Sequence, residues 1–217
     1  MFVSVLGIDP GLTRCGYGVV TSDEKRNIEF SRVGIFSTSP QDPISSRLAE
    51  MHRDITELIL EIKPNFISIE RVLFQSNVST AMSVAQVSGL VHSIAASLSI
   101  PVTEYSPNEV KNAITGDGRA DKQAIQTMVM KLLKLTKVPQ PADAADALAI
   151  ALTHAFLLSN SNETKDTSEN ATYNGSNLHN AIADAIVRQA KKQPDPKKLE
   201  REALKRERIR RRPGISR

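Results

Sequence analysis

The run Pro141-Ala-Asp-Ala-Ala-Asp-Ala-Leu-Ala-Ile-Ala-Leu-Thr-His154 constrains the fold of this 217-residue chain more than any other stretch. Alanine and leucine are among the strongest helix formers, so the run reads as a helix. It carries two aspartates, Asp143 and Asp146, three residues apart. That spacing sets both carboxylates on one helix face, with Cβ atoms about 5–6 Å apart. Carboxylates so close repel, and a pKa rises unless a cation sits between them. Asp143 alone is explained as an acid at the positive end of the helix dipole. That account leaves Asp146 over, facing the same way among small apolar residues. The alanines keep bulk low around the pair, so another backbone or a ligand can come close. By itself the pair fits a structural and a metal-binding role equally.

The chain is long enough for one ordinary domain and an appendage. Hydrophobic residues make up 40%, and no apolar run approaches the roughly 18 residues of a membrane span. Met1–Leu6 lacks the basic start of a signal peptide, and the single cysteine, Cys15, rules out an internal disulfide. A reducing, cytoplasmic setting is expected, with Cys15 an inert small residue. Charge divides the chain unevenly. Residues 188–217 hold 13 of the 28 Lys+Arg and 4 of the 24 Asp+Glu, a net +9, which leaves −5 for the rest. Before them comes a polar segment, 159–179, too poor in apolar residues to offset its ordering entropy. The expected organisation is a domain over 1–158, a disordered linker over 159–179, and a basic, helix-prone or disordered tail over 180–217.

Within the domain, strands are predicted at 2–8, 16–21 and 28–36, joined by short turns as an antiparallel meander. Helical periodicity covers 44–62 and stops before Pro64, and a fourth strand runs from Phe66 to Glu70. Helix 78–98, strand 102–105, and helices near 107–114, 121–135 and 143–158 follow. This order predicts an α/β fold with a mixed sheet of five strands flanked by helices. Asp9 closes the first strand before the turn Pro10-Gly11, and Glu70 closes the fourth. Asp9 also suits a plain turn-initiating role. A carboxylate ending a buried strand, as Glu70 does, calls for a partner. Four carboxylates from three elements, without a His or Cys cluster, suit Mg²⁺ or Mn²⁺ rather than Zn²⁺. They suit a pair of ions about 3.5–4 Å apart that acts on a phosphodiester.

Gly7-Ile-Asp-Pro-Gly11, Gly16-Tyr-Gly18, Ile69-Glu-Arg-Val72, the stretch Ser106–Lys122 and Ala142-Asp-Ala-Ala-Asp-Ala-Leu-Ala149 together resemble the RuvC family of Holliday junction resolvases. The resemblance runs in order from residue 3 to about 158. It implies a ribonuclease H-like fold, and the basic C-terminal extension lies outside the resemblance. It also implies a homodimer that nicks two strands of like polarity in a four-way DNA junction, in recombination and repair. Asp9, Glu70, Asp143 and Asp146 would be the catalytic residues and the ligands of two Mg²⁺ per site, with Mn²⁺ a substitute. Lys111 and Lys122 match the lysines that the family sets near the scissile phosphate, and the RuvA–RuvB branch-migration complex is the implied partner. Ordinary solvated helix lysines would look the same.

One position departs from the family pattern. Where many relatives carry a phenylalanine that stacks on junction bases, this chain has Leu73, followed by Phe74. Either Phe74 replaces it by a local shift, or Leu73 acts as an apolar wedge. Stacking on an aromatic ring is worth about 1–3 kcal/mol per base, so the change bears on junction opening. The loop Gly116-Asp-Gly-Arg119-Ala120 is expected to bring Arg119 toward DNA. Helix 78–98, apolar over most of its surface, is expected to be buried against more than one neighbour, and the resemblance implies that it helps form the dimer interface. His92 on it is expected in the core, and His52, His154 and His179 receive no role. The basic tail is expected to add phosphate contacts.

Two other readings remain open on sequence alone. Asp9-Pro-Gly-Leu-Thr13 also fits the phosphate loop of actin-like ATPases, although one core of this size has no room for their second half. A non-catalytic junction-binding scaffold would use the tail with a degenerate site.

Overall fold

The computed structural model describes residues 3–25, 27–71 and 78–160. Strands β1 (Val3–Asp9), β2 (Arg14–Ser22) and β3 (Ile28–Ser37) pair antiparallel in sequence order. Asp23 makes the second of their two turns, its Oδ1 accepting the Asn27 backbone N–H at 2.8 Å. Helix α1 (Ile44–Ile62) ends with Lys63 in the left-handed region at φ 51°, directly before Pro64. Then follow β4 (Phe66–Glu70), α2 (Val78–Ser97), β5 (Val102–Tyr105), α3 (Pro107–Thr115), α4 (Lys122–Leu132) and α5 (Ala142–Asn160). The strand order is β3-β2-β1-β4-β5, with β4 parallel to both its neighbours. The mixed five-stranded sheet is therefore as expected, and α5 runs two residues into the expected linker. Residues 161–217, with the rest of that linker and the tail, lie outside the described residues. Among the described residues no helix is long and apolar enough to cross a membrane.

Period-two alternation sends Leu6 and Ile8 of β1 to one face, where they join Met51, Ile55, Ile59, Val87 and Val91 of α1 and α2 in the larger core. Met51, Ile55 and Ile59 are essentially inaccessible, each worth about 1.5–3 kcal/mol of burial. Cys15 belongs to this core too, and burial pushes its thiol up to about 12, so it is inert at neutral pH.

Gly7, Gly16 and Gly18 leave the opposite face bare, and α5 lies on that bare track. A Cβ at Gly7 would strike the Ala147 carbonyl oxygen, and at Gly16 the Asp143 carbonyl oxygen. At Gly18 it would come within 2.8 Å of the Leu148 nitrogen and Cγ. Small residues on both sides thus let a helix backbone rest against the strands. Ser68 on β4 adds a hydroxyl donated to the Ile150 carbonyl at 3.3 Å. Helices α3 and α4 cover the outer side of α5.

Helix α2 buries Ala81, Val87, Val91, Ile94 and Ala95, and packs against both α1 and the sheet, so it has the more than one neighbour expected of it, while Met82 on its other side is 53% exposed. One expectation is corrected. His92 is no core residue; it is partly exposed, and its Nε2 lies 3.0 Å from Glu104 Oε1.

Candidate active site

Asp9 is placed by the parallel pairing of β1 with β4. Ile8 stands opposite Ile69, so the next residues along, Asp9 and Glu70, end their strands side by side at one end of the sheet. The glycine track then sets α5. Because Gly16 pairs with Asp9 and touches the Asp143 backbone, the first turn of α5 must start over the same edge. Asp146, one turn later, faces the same space.

The four acids are close enough to act on one another's charge. The Asp9 carboxyl is pushed from 3.8 up to about 7, chiefly by burial and then by the charges of Glu70, Asp146 and Asp143; Lys122 partly opposes this. Glu70 is raised as well, by burial and then by Asp146. Asp146 has a cation of its own. Lys122, the first residue of α4 after the N-cap Asp121, donates from Nζ to Asp146 Oδ2 at 2.6 Å. That bond is the main cause of its raised pKa, so it stays charged.

Asp143 differs. Arg14 Nε is 3.0 Å from its Oδ2 but is not aligned for a hydrogen bond, and that buried oxygen has no hydrogen-bond partner. Among the described residues, no three His, Cys, Asp or Glu side chains close on one point as they stand. Two of the four carboxylates are each drawn to a basic side chain instead.

Such a site has more negative charge than its two basic neighbours offset. It has four hard oxygen donors, one buried oxygen without a hydrogen bond, and an acid that burial among like charges has driven toward its neutral form. A hard divalent cation fits that donor set.

The other predicted residues separate. Lys111 is half-buried on α3, its carbonyl accepting the Thr115 hydroxyl at 2.8 Å. Among the described residues no hydrogen bond or ion pair joins it to the carboxylates, as one joins Lys122. Arg119 has an exposed side chain on the loop between α3 and α4, its backbone N–H donated to Asp117 Oδ1 at 2.8 Å. Leu73 and Phe74 lie outside the described residues.

Two residues at or beneath the site were not anticipated. Arg14 was missed because an arginine after a tight turn looks like any solvated one, and its partner is far off in sequence. His154 was missed because no ligand-like neighbour accompanies it in the sequence. It is buried, with Nδ1 2.7 Å from the Tyr105 hydroxyl, and its ring packs against Phe66. Tyr105 pairs in register with Glu70, so this contact ties α5 to β5, the strand beside the one that ends on the acid. Burial lowers the His154 pKa to about 4 and keeps it neutral.

A mixed sheet of this order, with acids at one edge and on the crossing helix, defines a ribonuclease H-like nuclease domain. A profile of the family described as crossover junction endodeoxyribonuclease RuvC matches residues 5–154. A protein of that description from Pseudarthrobacter chlorophenolicus is 47% identical over 156 residues, 72% of this chain and 81% of its own. Another from Renibacterium salmoninarum is 48% identical over 152 residues, 70% and 79% of the two chains. The solved structure of T. thermophilus RuvC in complex with Holliday junction substrate superposes with a TM-score of 0.68 at 36% identity, over 72% of this chain and 94% of that one. The chain belongs to the RuvC family of crossover junction endodeoxyribonucleases, metal-dependent nucleases of DNA recombination and repair. Neither the ATPase nor the scaffold reading is favoured by these relatives.

Proposed function

We propose that the chain resolves four-way DNA junctions through Asp9, Glu70, Asp143 and Asp146, which hold two Mg²⁺ ions, with Mn²⁺ as a substitute. Bound there, the ions supply an activated water and stabilise the leaving oxygen of the phosphodiester. The rest is done by the chain. Asp9 and Glu70, rigid at the ends of paired strands, set one side of the site, and the first turn of α5 sets the other. Lys122 keeps a fixed positive charge beside Asp146 where a phosphate would arrive. Lys111 and Arg119 approach the DNA from α3 and the loop after it. Leu73, or Phe74 by a shift, wedges the junction centre.

The protein works as a homodimer through the uncovered face of α2, so that each protomer nicks one of two strands of like polarity. It takes its junction from the RuvA–RuvB complex in the cytoplasm. The nuclease domain spans 1–158, the polar linker 159–179, and the basic tail 180–217 adds phosphate contacts. The slope of log affinity against log salt, compared with a chain lacking the tail, measures those contacts.

The observation that carries this reading is geometric: Asp9 and Glu70 stand side by side at the ends of paired strands, with the Asp143 backbone seated on Gly16 beside Asp9, and burial first, then the neighbouring acids, push the Asp9 carboxyl up to about 7. The test is cleavage of a synthetic mobile four-way junction with Mg²⁺, beside a linear duplex of the same sequence. Wild type should make paired nicks in the junction alone. Asp143→Asn should bind the junction but cut at least about 10²–10³-fold more slowly, the scale of losing one preorganised electrostatic group. Cutting by Asp143→Asn at the wild-type rate would overturn the assignment.

A further inference from the structure

The two aspartates of α5 are each served by a different cation, and the two cations are held unequally. Lys122 makes a short, aligned hydrogen bond to Asp146, and its side chain is 56% exposed. Arg14 comes from the start of β2, on the other flank of α5. Its Nε sits 3.0 Å from Asp143 Oδ2, and the pair makes no hydrogen bond there. Its side chain is 59% exposed, so most of the guanidinium remains in water. Charge attracts Arg14 to Asp143, but the geometry that makes arginine–carboxylate pairs strong is absent. Asp9 and Glu70 have no cation in direct contact among the described residues, and both are pushed up.

We infer that Arg14 is a positioning residue: an internal counter-ion that occupies Asp143 in the metal-free enzyme and competes with the divalent ion for it. This rests on the reading of Asp143 as a metal ligand. A carboxylate facing both a guanidinium and an incoming divalent ion holds each less tightly than it would alone, because the two cations repel at that range. Arg14 therefore does two opposed things. It lowers the repulsion among the four acids while the site is without metal, and it weakens metal binding by having to be displaced. The exposure of its side chain makes the displacement inexpensive, since water receives the guanidinium. Lys122, fixed by an aligned bond to the other aspartate, is not the residue that yields first.

The competition predicts a sign that a merely structural role does not. Removing a structural support loosens metal binding; removing a competitor tightens it. The experiment is a titration of the full-length, DNA-free protein with Mn²⁺ alone, reading free Mn²⁺ by electron paramagnetic resonance. Arg14→Gln should bind Mn²⁺ about two- to fivefold more tightly than wild type, the range set by an exposed ion pair. Its melting temperature without metal should fall and recover when Mn²⁺ is added. Arg14→Lys, which keeps the charge, should stay near wild type. Arg32→Gln, on β3 and paired with Glu61 at 2.8 Å, removes the same charge at a distance and corrects for the general field. If Arg14→Gln binds Mn²⁺ no more tightly than Arg32→Gln, the competition is overturned. Asp143→Asn in the same titration checks the underlying reading separately. Unchanged Mn²⁺ binding there removes Asp143 from the ligands, whereas weakened binding there with no gain in Arg14→Gln removes only the role of Arg14.

Discussion

Helix α5 is buried at nearly every position from Ala144 to Ala155, with the sheet beneath it and α3 and α4 above, whereas α2 is buried along one face and bare along the other. In sequence the two are close kin, rich in alanine and small residues and almost without charge. The difference lies in what is laid over them. The enclosure of α5 holds its N-terminal end, with Asp143 and Asp146, in one place against Asp9. The bare face of α2, with Met82 exposed and Gly89 in open space, is uncovered among the described residues and is the face proposed to receive a second copy. A chemical site needs the first arrangement and an assembly surface needs the second.

Gly18→Ala breaks the comparison from the α5 side and has the largest expected effect. The added Cβ would lie 2.8 Å from the Leu148 nitrogen and 2.9 Å from its Cα, so backbone, not a flexible side-chain end, has to give. Overpacking of this kind costs about 1–3 kcal/mol or more, and urea unfolding should show it. An unchanged midpoint would mean that α5 is not seated as tightly as the glycine track implies.

Gly89→Arg works from the α2 side. Nothing stands within 4 Å of a Cβ there, so the protomer should fold as before. The proposed dimer should dissociate, with sedimentation showing monomers at concentrations where wild type is expected to pair. A variant that remains dimeric would move the interface elsewhere.

The smallest effect is on pH dependence, and it belongs to the α5 end alone. Asp9 titrates at 3.8 when free and at about 7 when folded. Over that window the native state holds the extra proton, so this group's contribution to stability falls as pH rises toward 7 and is level above it. His154 acts in the opposite direction. Its pKa falls from 6.5 to about 4, so its contribution is lost as pH drops through that range. The two slopes oppose each other in the metal-free wild type. In Asp9→Asn the His154 slope should stand more nearly alone, with melting temperatures in EDTA rising more steeply from acid to neutral pH than in wild type. Parallel curves for the two proteins would deny Asp9 its raised pKa.

Much of this was legible from residue order. Strand ends at Asp9 and Glu70, the helix stop before Pro64 and the start at Ser106, whose hydroxyl and Glu109 cap each other, follow from short-range chemistry. So does the shared face of Asp143 and Asp146. Other features were illegible for one reason. Periodicity gives the angle at which a side chain leaves its helix, but not what is packed at that angle. His92 therefore seemed a core residue and is partly exposed beside Glu104, while His154 seemed to have no role and lies buried on Tyr105. The glycines of Gly16-Tyr-Gly18 could be recognised as a motif, yet their reason, a helix backbone from more than a hundred residues later, could not.

The sequence by itself determined which elements form, where their acids stand, and that the acids are too many for their surroundings without added positive charge. Tertiary structure alone decided how the acids meet. The bare track on β1 and β2 admits α5 at van der Waals contact, and that contact brings Asp143 and Asp146 to Asp9 and Glu70. It also decided which cations answer them, because Arg14 and Lys122 reach the aspartates only once β2, α4 and α5 have packed. Local propensity acts over a few residues, whereas burial and charge act between any residues the fold brings within several ångströms.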